Sequence, residues 1–351
     1  MMQKLDITKW ANPNILSLRA YTSARDEYKD RSGTMLDANE SPYNNGINRY
    51  PDPKAQTLLQ WISAYRNVPP ECMVLGNGSD EVLDMVLKCG QAAGANIVVP
   101  APSYGMYEVL AATYGMETRK VLLDEDFSLN TDRLLDAVDA LTRFVILCTP
   151  NNPTGNVLAP AAIEKILQSF NGLVVLDEAY IDFADAPSCL SLLARYNNLV
   201  VIQTFSKAFG MAGLRLGVGY ASAAIISLLY KVKLPYNLNC LTQQEAQKQL
   251  QNINQVQARI KESNAQKAWL FAALAQLFLV TRVYPSDANF LLVQFRDAPK
   301  VLACLLEQGI VVRDRSREPL CSNCLRITIG TPHENQLLIE TLKQYEESLV
   351  Y

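Results

Sequence analysis

Histidine is almost absent from this sequence, since His333 is the only one among 351 residues. It follows Thr331-Pro332, where a helix is expected to begin, so we interpret it as an exposed residue near a helix start and not as a catalytic base. The motif Cys321-Ser-Asn-Cys324 would need a second pair of ligands to hold zinc, which a single histidine does not supply. The sequence therefore predicts no metal centre.

The chain also lacks an excess of positive charge and any long apolar run. Lys and Arg number 32 against 35 Asp and Glu, so neither nucleic acid nor an anionic membrane is an expected partner. No segment approaches the ~20 apolar residues of a membrane span. Residues 1–16 lack the apolar core and cleavage pattern of a signal peptide. Together with eight scattered cysteines, these features favour a cytoplasmic protein with reduced thiols.

Short apolar runs alternate with stretches of helical spacing between residues 51 and 220. The runs are mostly Val, Ile, Leu and Phe, as expected of strands that are covered on both faces. They lie at 95–99, 144–148, 173–176, 199–205 and 216–220, and a helix is predicted at 82–91. We therefore predict an α/β fold with a mostly parallel sheet flanked by helices. Ligands of such sheets bind beyond the carboxyl ends of the strands.

The pattern changes after residue 240. Residues 242–277 are rich in Gln, Ala, Lys and Leu and predict one long or bent helix. Beyond it we predict strands at 279–283, 290–295, 310–313 and 325–329, a helix near 300–307 and a C-terminal helix. This mixture indicates a smaller α+β domain. The predicted organisation is an N-terminal arm (1–45) associated with the small domain, a large domain (46–240) and the small domain (241–351).

The most informative segment is Thr204-Phe-Ser-Lys207-Ala-Phe-Gly-Met-Ala-Gly213-Leu-Arg215, which follows the apolar run 199–205. A lysine at the end of a strand can form a Schiff base with an aldehyde cofactor such as pyridoxal 5′-phosphate (PLP). Ser206 and Arg215 can hold the phosphate of such a cofactor. A lone Ser-Lys pair usually belongs to the surface, so the hypothesis depends on other segments that supply the rest of the site.

Further segments supply complementary groups. Asp177 ends the run 173–176, where its carboxylate can pair with the ring nitrogen of PLP, and Tyr180 can bond its phenolic oxygen. Asn152, in the turn Pro150-Asn-Asn-Pro-Thr-Gly155, can donate to the same oxygen. The small residues of Gly76-Asn-Gly78-Ser79-Asp80 precede a helix whose first N–H groups can bind phosphate. Each segment alone also fits a simple turn or helix cap.

The joint order of these motifs resembles the fold-type I PLP-dependent aminotransferases of the aspartate-aminotransferase superfamily. More narrowly, it resembles the histidinol-phosphate aminotransferase family, over residues 21–331. One departure lies near the expected substrate face, where the family's Asn-Glu-Asn-Pro-Tyr-Gly is Asn39-Glu40-Ser41-Pro42-Tyr43-Asn44. The motifs that carry the resemblance are Tyr21-x-Ser-Ala-Arg25, Asn39-Glu40-x-Pro42, Arg49-Tyr50-Pro51, Gly78-Ser79-Asp80-Glu81, Asn152-Pro-Thr-Gly155, Asp177-Glu-Ala-Tyr180, Ser206-Lys207, Gly213-Leu-Arg215 and Leu325-Arg326-Ile-Thr-Ile-Gly330.

The resemblance implies how the cofactor would be held. Lys207 would bind PLP covalently and, once substrate displaces it, move the proton between substrate and cofactor. Asp177 would pair with the pyridinium nitrogen, and Tyr180 and Asn152 would bond the phenolic oxygen. Tyr104 would stack on the ring, although a core position is the commoner fate of such a tyrosine. The phosphate would lie among Ser79, Asp80, Thr204, Ser206 and Arg215.

The resemblance also implies a substrate pocket and a homodimer. Arg326 would bind the substrate anion, because a guanidinium fork matches either a carboxylate or a phosphate. Tyr50 would reach the phosphate in a neighbouring subunit. Tyr21, Asn39 and Arg313 would line the pocket.

The reaction that the resemblance implies is amino transfer from L-histidinol phosphate to 2-oxoglutarate, giving imidazole-acetol phosphate and L-glutamate, in histidine biosynthesis. Two alternatives share the fold: an aromatic amino acid aminotransferase, and a PLP decarboxylase that acts on threonine phosphate. A non-enzymatic PLP-binding regulator is disfavoured, because the chain has no basic segment that would bind DNA.

Overall fold

The computed structural model describes residues 5–20, 22 and 33–349, so Tyr21 and Arg25 lie outside the described part of the chain. The larger of two sheets has seven strands in the order β1-β7-β6-β5-β4-β2-β3. Strands β3, β2, β4, β5 and β6 run parallel, and β7 is antiparallel to both of its neighbours. The predicted mostly parallel sheet is confirmed. Its strands are β1 Met73–Asn77, β2 Asn96–Ala101, β3 Glu117–Leu122, β4 Thr142–Cys148, β5 Leu173–Asp177, β6 Leu199–Thr204 and β7 Leu216–Ala221.

Helices cover both faces of this sheet, and alternate residues of each inner strand enter opposite cores. In β5, Val174 and Leu176 join one buried cluster, while Leu173 and Val175 join the other. Burial on both faces is why the inner strands are nearly continuous apolar runs. The helices up to residue 232 are α1 Ile7–Trp10, α2 Pro13–Ser17, α3 Gln56–Arg66, α4 Ser79–Gly90, α5 Met106–Thr113, α6 Thr131–Asp136, α7 Pro160–Ser169 and α8 Ala223–Val232.

The N-terminal helices pack differently from the prediction. The Trp10 ring meets Phe144 of β4 edge to face at 5.5 Å, and its indole N–H donates to the Arg143 carbonyl at 3.1 Å. Ile15 is buried in the same cluster. For residues 5–17, the predicted association with the small domain is therefore wrong, because a few large apolar side chains in this mostly polar segment are buried against the large sheet.

The smaller sheet has four antiparallel strands in the order β10-β11-β9-β8. Leu291, Val293 and Ile327 face one cluster, which includes residues of helices on that side. The opposite face carries Phe290 and Arg326 toward the large sheet. The elements are β8 Val280–Val283, β9 Phe290–Phe295, β10 Arg313–Asp314, β11 Cys324–Thr328, α9 Cys240–Leu250, α10 Ile253–Leu274, α11 Ala298–Glu307 and α12 Pro332–Ser348.

Two predicted elements of this region differ in extent from those in the structure. The predicted strand 310–313 is reduced to β10, because the Ile310 amide still closes the end of α11 by donating to the Leu305 carbonyl at 2.8 Å. The predicted long helix is divided into α9 and α10. Because α10 places Val256 in the core of the large sheet and Leu270 in that of the small one, it links both units. The domain limits at residues 45 and 240 stay predictions.

None of the helices within residues 5–20 and 33–349 is both long enough and apolar enough to cross a bilayer.

Candidate active site

A cleft opens where the parallel strands of the large sheet end. Its empty volume, including the open mouth, is about 580 Å³. Apart from Tyr50, every residue predicted to bind the cofactor lines it. The lining residues are Ser79, Asp80, Tyr104, Cys148, Asn152, Asp177, Ala179, Tyr180, Thr204, Ser206, Lys207, Ala212 and Arg215.

Asp177 is the last residue of β5 and is buried at the floor of the cleft. Its carboxylate accepts hydrogen bonds from the Tyr107 hydroxyl at 2.8 Å and from the Ala179 amide at 3.1 Å. Burial raises the pKa of Asp177 to about 6, while the bond from Tyr107 acts in the opposite direction. The charged form of a carboxylate buried in this position is stabilised most by a cationic partner. A protonated ring nitrogen of PLP fits that requirement.

Tyr107 was missed as a site residue. Only Tyr104 of this segment was predicted to contact the cofactor. Tyr107 is buried, yet its hydroxyl bonds Asp177, and its ring meets Tyr104 edge to face at 5.5 Å. The three-residue spacing of the two tyrosines at a helix start was the signal that could have linked them.

Lys207 follows the end of β6, with its amine 5.9 Å from the centre of the Tyr180 ring. Burial lowers the pKa of Lys207, and the positive charge of Arg326 lowers it further, while Asp177 opposes the shift. A lowered pKa increases the fraction of neutral amine, which is the nucleophilic form. The setting therefore suits a lysine that forms a covalent bond with an aldehyde.

A chain of contacts joins the small sheet to the cleft. The Asn152 amide donates to the Tyr180 hydroxyl oxygen at 3.4 Å, and Arg326 donates to the Asn152 side-chain oxygen at 2.5 Å. The Arg326 guanidinium also lies over the Phe290 ring at 5.3 Å. Burial raises the pKa of Tyr180, so its hydroxyl stays protonated and can donate a hydrogen bond. Arg326 thereby lies at the edge of the cleft.

Donor groups converge beside the N-terminus of α4. This helix begins at Ser79 after Gly78, whose φ is +83°, and no side chain caps it among the described residues. Its first backbone N–H groups are therefore available to an anion. The Thr204 hydroxyl donates to Ser206 at 3.0 Å, and Arg215 reaches the Ser206 oxygen at 3.5 Å. The turn, the hydroxyls and the guanidinium together fit a phosphate group.

Gly217 keeps the turn at Gly78-Ser79 in place. It lies in β7, where a Cβ atom would overlap the backbone of Gly78 and Ser79. We expect Gly217→Ala to shift the turn and weaken PLP binding by roughly 10- to 100-fold, since such overpacking typically costs about 1–3 kcal/mol. The measurement is the dissociation constant of PLP. Gly105→Ala is the matched control, because a Cβ there meets no atom within 4 Å; equal affinity of the two variants would contradict the assignment.

The other predicted residues lie outside the group of described residues that line the cleft. Tyr50 is exposed, and its ring stacks on Tyr236 at 4.5 Å. Asn39 and Arg313 are also exposed, and Arg313 pairs with Arg326 across β10 and β11. Their roles stay predictions. Within the described residues, no group of His, Cys, Asp or Glu is arranged to hold a metal ion.

Comparisons with known proteins agree with this geometry. The family model for aminotransferase class I and II matches residues 24–342. A histidinol-phosphate aminotransferase from Christiangramia forsetii is 47% identical over 348 residues, which cover 98% of this chain and 99% of the relative. The solved histidinol-phosphate aminotransferase from Clostridium acetobutylicum has a TM-score of 0.80 at 25% identity, covering 86% of this chain and 92% of that one.

A second kind of enzyme shares the fold. The solved L-threonine-O-3-phosphate decarboxylase from Porphyromonas gingivalis has a TM-score of 0.74 at 27% identity, covering 86% of this chain and 91% of that one. The higher identity over nearly the full length lies with the aminotransferase relative. The chain therefore belongs to the class I and II aminotransferases and, within them, to the histidinol-phosphate aminotransferase family.

Proposed function

We propose that this protein transfers an amino group reversibly between L-histidinol phosphate and 2-oxoglutarate, with PLP as cofactor, in histidine biosynthesis. One observation carries the proposal: a single cleft brings together the Lys207 amine, the buried Asp177 carboxyl group and an anion-binding turn, with Arg326 at its edge. Cysteines that are free and often buried in the described part of the chain support a reducing compartment, the cytoplasm.

The residues of the cleft have complementary tasks in this reaction. PLP, when bound, supplies an electron sink that acidifies the Cα–H of the substrate. Asp177 stabilises a proton on the ring nitrogen, and the bond from Tyr107 orients its carboxylate. Tyr180 and Asn152 donate to the phenolic oxygen. Lys207, with its lowered pKa, would take up the Cα proton of the substrate and deliver it to C4′ of the cofactor.

Arg326 explains how one pocket can serve two different substrates. Glutamate presents an α-carboxylate, whereas histidinol phosphate carries a phosphate on a CH₂–O group in the place of that carboxylate. Each anion offers at least two oxygen atoms, which a guanidinium fork can bind through two N–H groups. Because Arg326 also bonds Asn152, a bound anion is placed near the group that contacts the cofactor ring. The same position can thus be used in both half-reactions.

The closest competing function is decarboxylation of a phosphorylated amino acid, which the likeness to the Porphyromonas gingivalis enzyme favours. A substrate panel separates the candidates. Histidinol phosphate, histidine, phenylalanine, tyrosine and threonine phosphate are each incubated with the holoenzyme, and glutamate formed from 2-oxoglutarate and released carbon dioxide are both measured. Glutamate formation that is fastest with histidinol phosphate supports the proposal. Carbon dioxide release from threonine phosphate, or faster transfer from phenylalanine or tyrosine, would replace it.

We also propose that the active unit is a homodimer in which Tyr50 contacts the phosphate bound by the other subunit. Its exposure in the single chain supports this, as does the exposed apolar surface of Leu36, Tyr43 and Ile47 in the preceding segment.

Mixing two impaired variants tests the dimer. Lys207→Ala and Tyr50→Phe chains, unfolded and refolded together, form mixed dimers with one intact site, so activity should exceed that of either variant refolded alone. Recovery no greater than the sum of the separate activities would show that Tyr50 serves its own chain.

A further inference from the structure

One face of the small sheet carries a group of arginines. Arg313 and Arg326 are directly opposite each other in β10 and β11, so their side chains share a face. The Arg315 amide donates to the Cys324 carbonyl at 2.9 Å, which extends this pairing by one residue. Since side chains alternate along a strand, Arg315 lies on the same face as Arg313. This is the face from which Arg326 reaches Asn152 at the edge of the cleft and on which Phe290 packs against Tyr180.

The positive charges on this face are poorly balanced. Burial lowers the pKa of Arg326, and the charges of Arg315 and then Arg313 lower it further. Burial likewise lowers the pKa of Arg315, and the charge of Arg313 lowers it further. Arg315 has an ion pair with Glu318 at 3.5 Å, and its side chain is only 18% exposed. An additional anion would therefore be favoured here.

Unsatisfied donors lie in the same place. The Nε atoms of Arg315 and Arg326 and the hydroxyl oxygen of Ser316 are buried without a hydrogen-bond partner among the described residues. Such atoms are uncommon in folded proteins, and a bound anion or water is one way in which their bonding is completed. Here two of the three belong to guanidinium groups on one face of the sheet, the face from which Arg326 reaches Asn152.

We propose that Arg315 is a specificity-determining residue that binds the phosphate group of the substrate beside Arg326. This inference rests on the proposed function and names how its phosphorylated substrate is selected. A phosphate monoester carries a charge of about −1.5 to −2 at pH 7 and three acceptor oxygens, enough for two guanidinium groups. A carboxylate has one charge and two oxygens, which Arg326 alone can satisfy. Arg315 therefore exchanges its partner Glu318 for phosphate and adds little to the binding of glutamate.

The test separates the two half-reactions of the holoenzyme in single-turnover experiments. For Arg315→Gln, we expect kcat/KM for histidinol phosphate to fall roughly 10- to 100-fold, because one charged hydrogen-bond donor to the phosphate is lost. The kcat/KM for glutamate should change less than about threefold. Arg315→Lys, which keeps the charge but not the fork, should lie between. The control is Arg317→Gln, an exposed position with the same change in charge, which should stay within about twofold for both substrates.

A binding readout keeps this inference separate from the proposed function. Inorganic phosphate is tested as a competitor of glutamate, and Arg315→Gln should raise its inhibition constant roughly tenfold or more. If the wild-type enzyme does not use histidinol phosphate, the proposed function fails while the phosphate competition still judges Arg315. An equal fall for both amino donors would indicate a merely structural role. That result, or an unchanged inhibition constant, overturns the proposal.

Discussion

Replacing Lys207 with alanine should lower amino transfer by at least about 10²- to 10⁴-fold, the contribution of a positioned acid–base group, with a further loss from the missing covalent bond. The reason lies in the geometry: Lys207 is the lysine that lines the cleft, and burial holds its pKa below the usual value. The measurement is the single-turnover rate with histidinol phosphate and, separately, with glutamate.

The matched control for this experiment is Lys88→Ala. Lys88 lies in the last turn of α4, exposed to solvent, so its loss removes one amine at a distance from the lining of the cleft. Its rates should remain within about twofold of the original protein, as expected for a surface substitution. A Lys207→Ala variant that keeps near-normal rates with both substrates would show that the catalytic amine belongs to another residue.

Arg326→Ala should lower kcat/KM by roughly 10²- to 10⁴-fold with both glutamate and histidinol phosphate, because two charged hydrogen bonds to the substrate anion are lost. The change also removes the bond to Asn152, which contacts Tyr180. Single-turnover kinetics for each half-reaction measure the effect. Arg326→Lys should recover only part of it, since an ammonium group keeps the charge without the fork.

Arg282→Ala is a suitable control for Arg326. Arg282 lies on β8 of the same sheet, and its guanidinium stacks on the Tyr284 ring at 4.4 Å, so a stacked arginine is again removed. We expect little change in either half-reaction. A loss with Arg326→Ala that is confined to glutamate would contradict the shared site and would show that the phosphate of histidinol phosphate is bound by other residues.

The inner strands of the large sheet could be predicted because burial on both faces requires continuous apolar runs. Strand β3 escaped prediction, since Glu117-Thr-Arg-Lys-Val-Leu122 lies at the sheet edge and is largely polar. Strand β1 was not predicted either, because it is short and ends in Gly76-Asn77, a pair that is typical of a turn. The division between α9 and α10 gave little signal either, because Gln251 and Asn252 resemble the polar residues on both sides of them.

The candidate site was predictable to the extent that its parts follow strand ends. Asp177 ends a buried strand, Asn152 and Lys207 come soon after one, and parallel strands bring such positions to one edge. Tyr107 and Arg315 could not be identified in this way. Their proposed roles depend on where a side chain points after folding. Tyr107 points toward Asp177, and Arg315 lies on the same face of the small sheet as Arg326.

We expect Lys207 to bond PLP covalently within the cleft. Borohydride treatment of the holoenzyme makes such a bond permanent, and peptide mass mapping then locates the added mass. The peptide containing Lys207 should carry the reduced cofactor at close to one per chain. Modification of a different lysine, or PLP that leaves the chain unmodified after reduction, would contradict it.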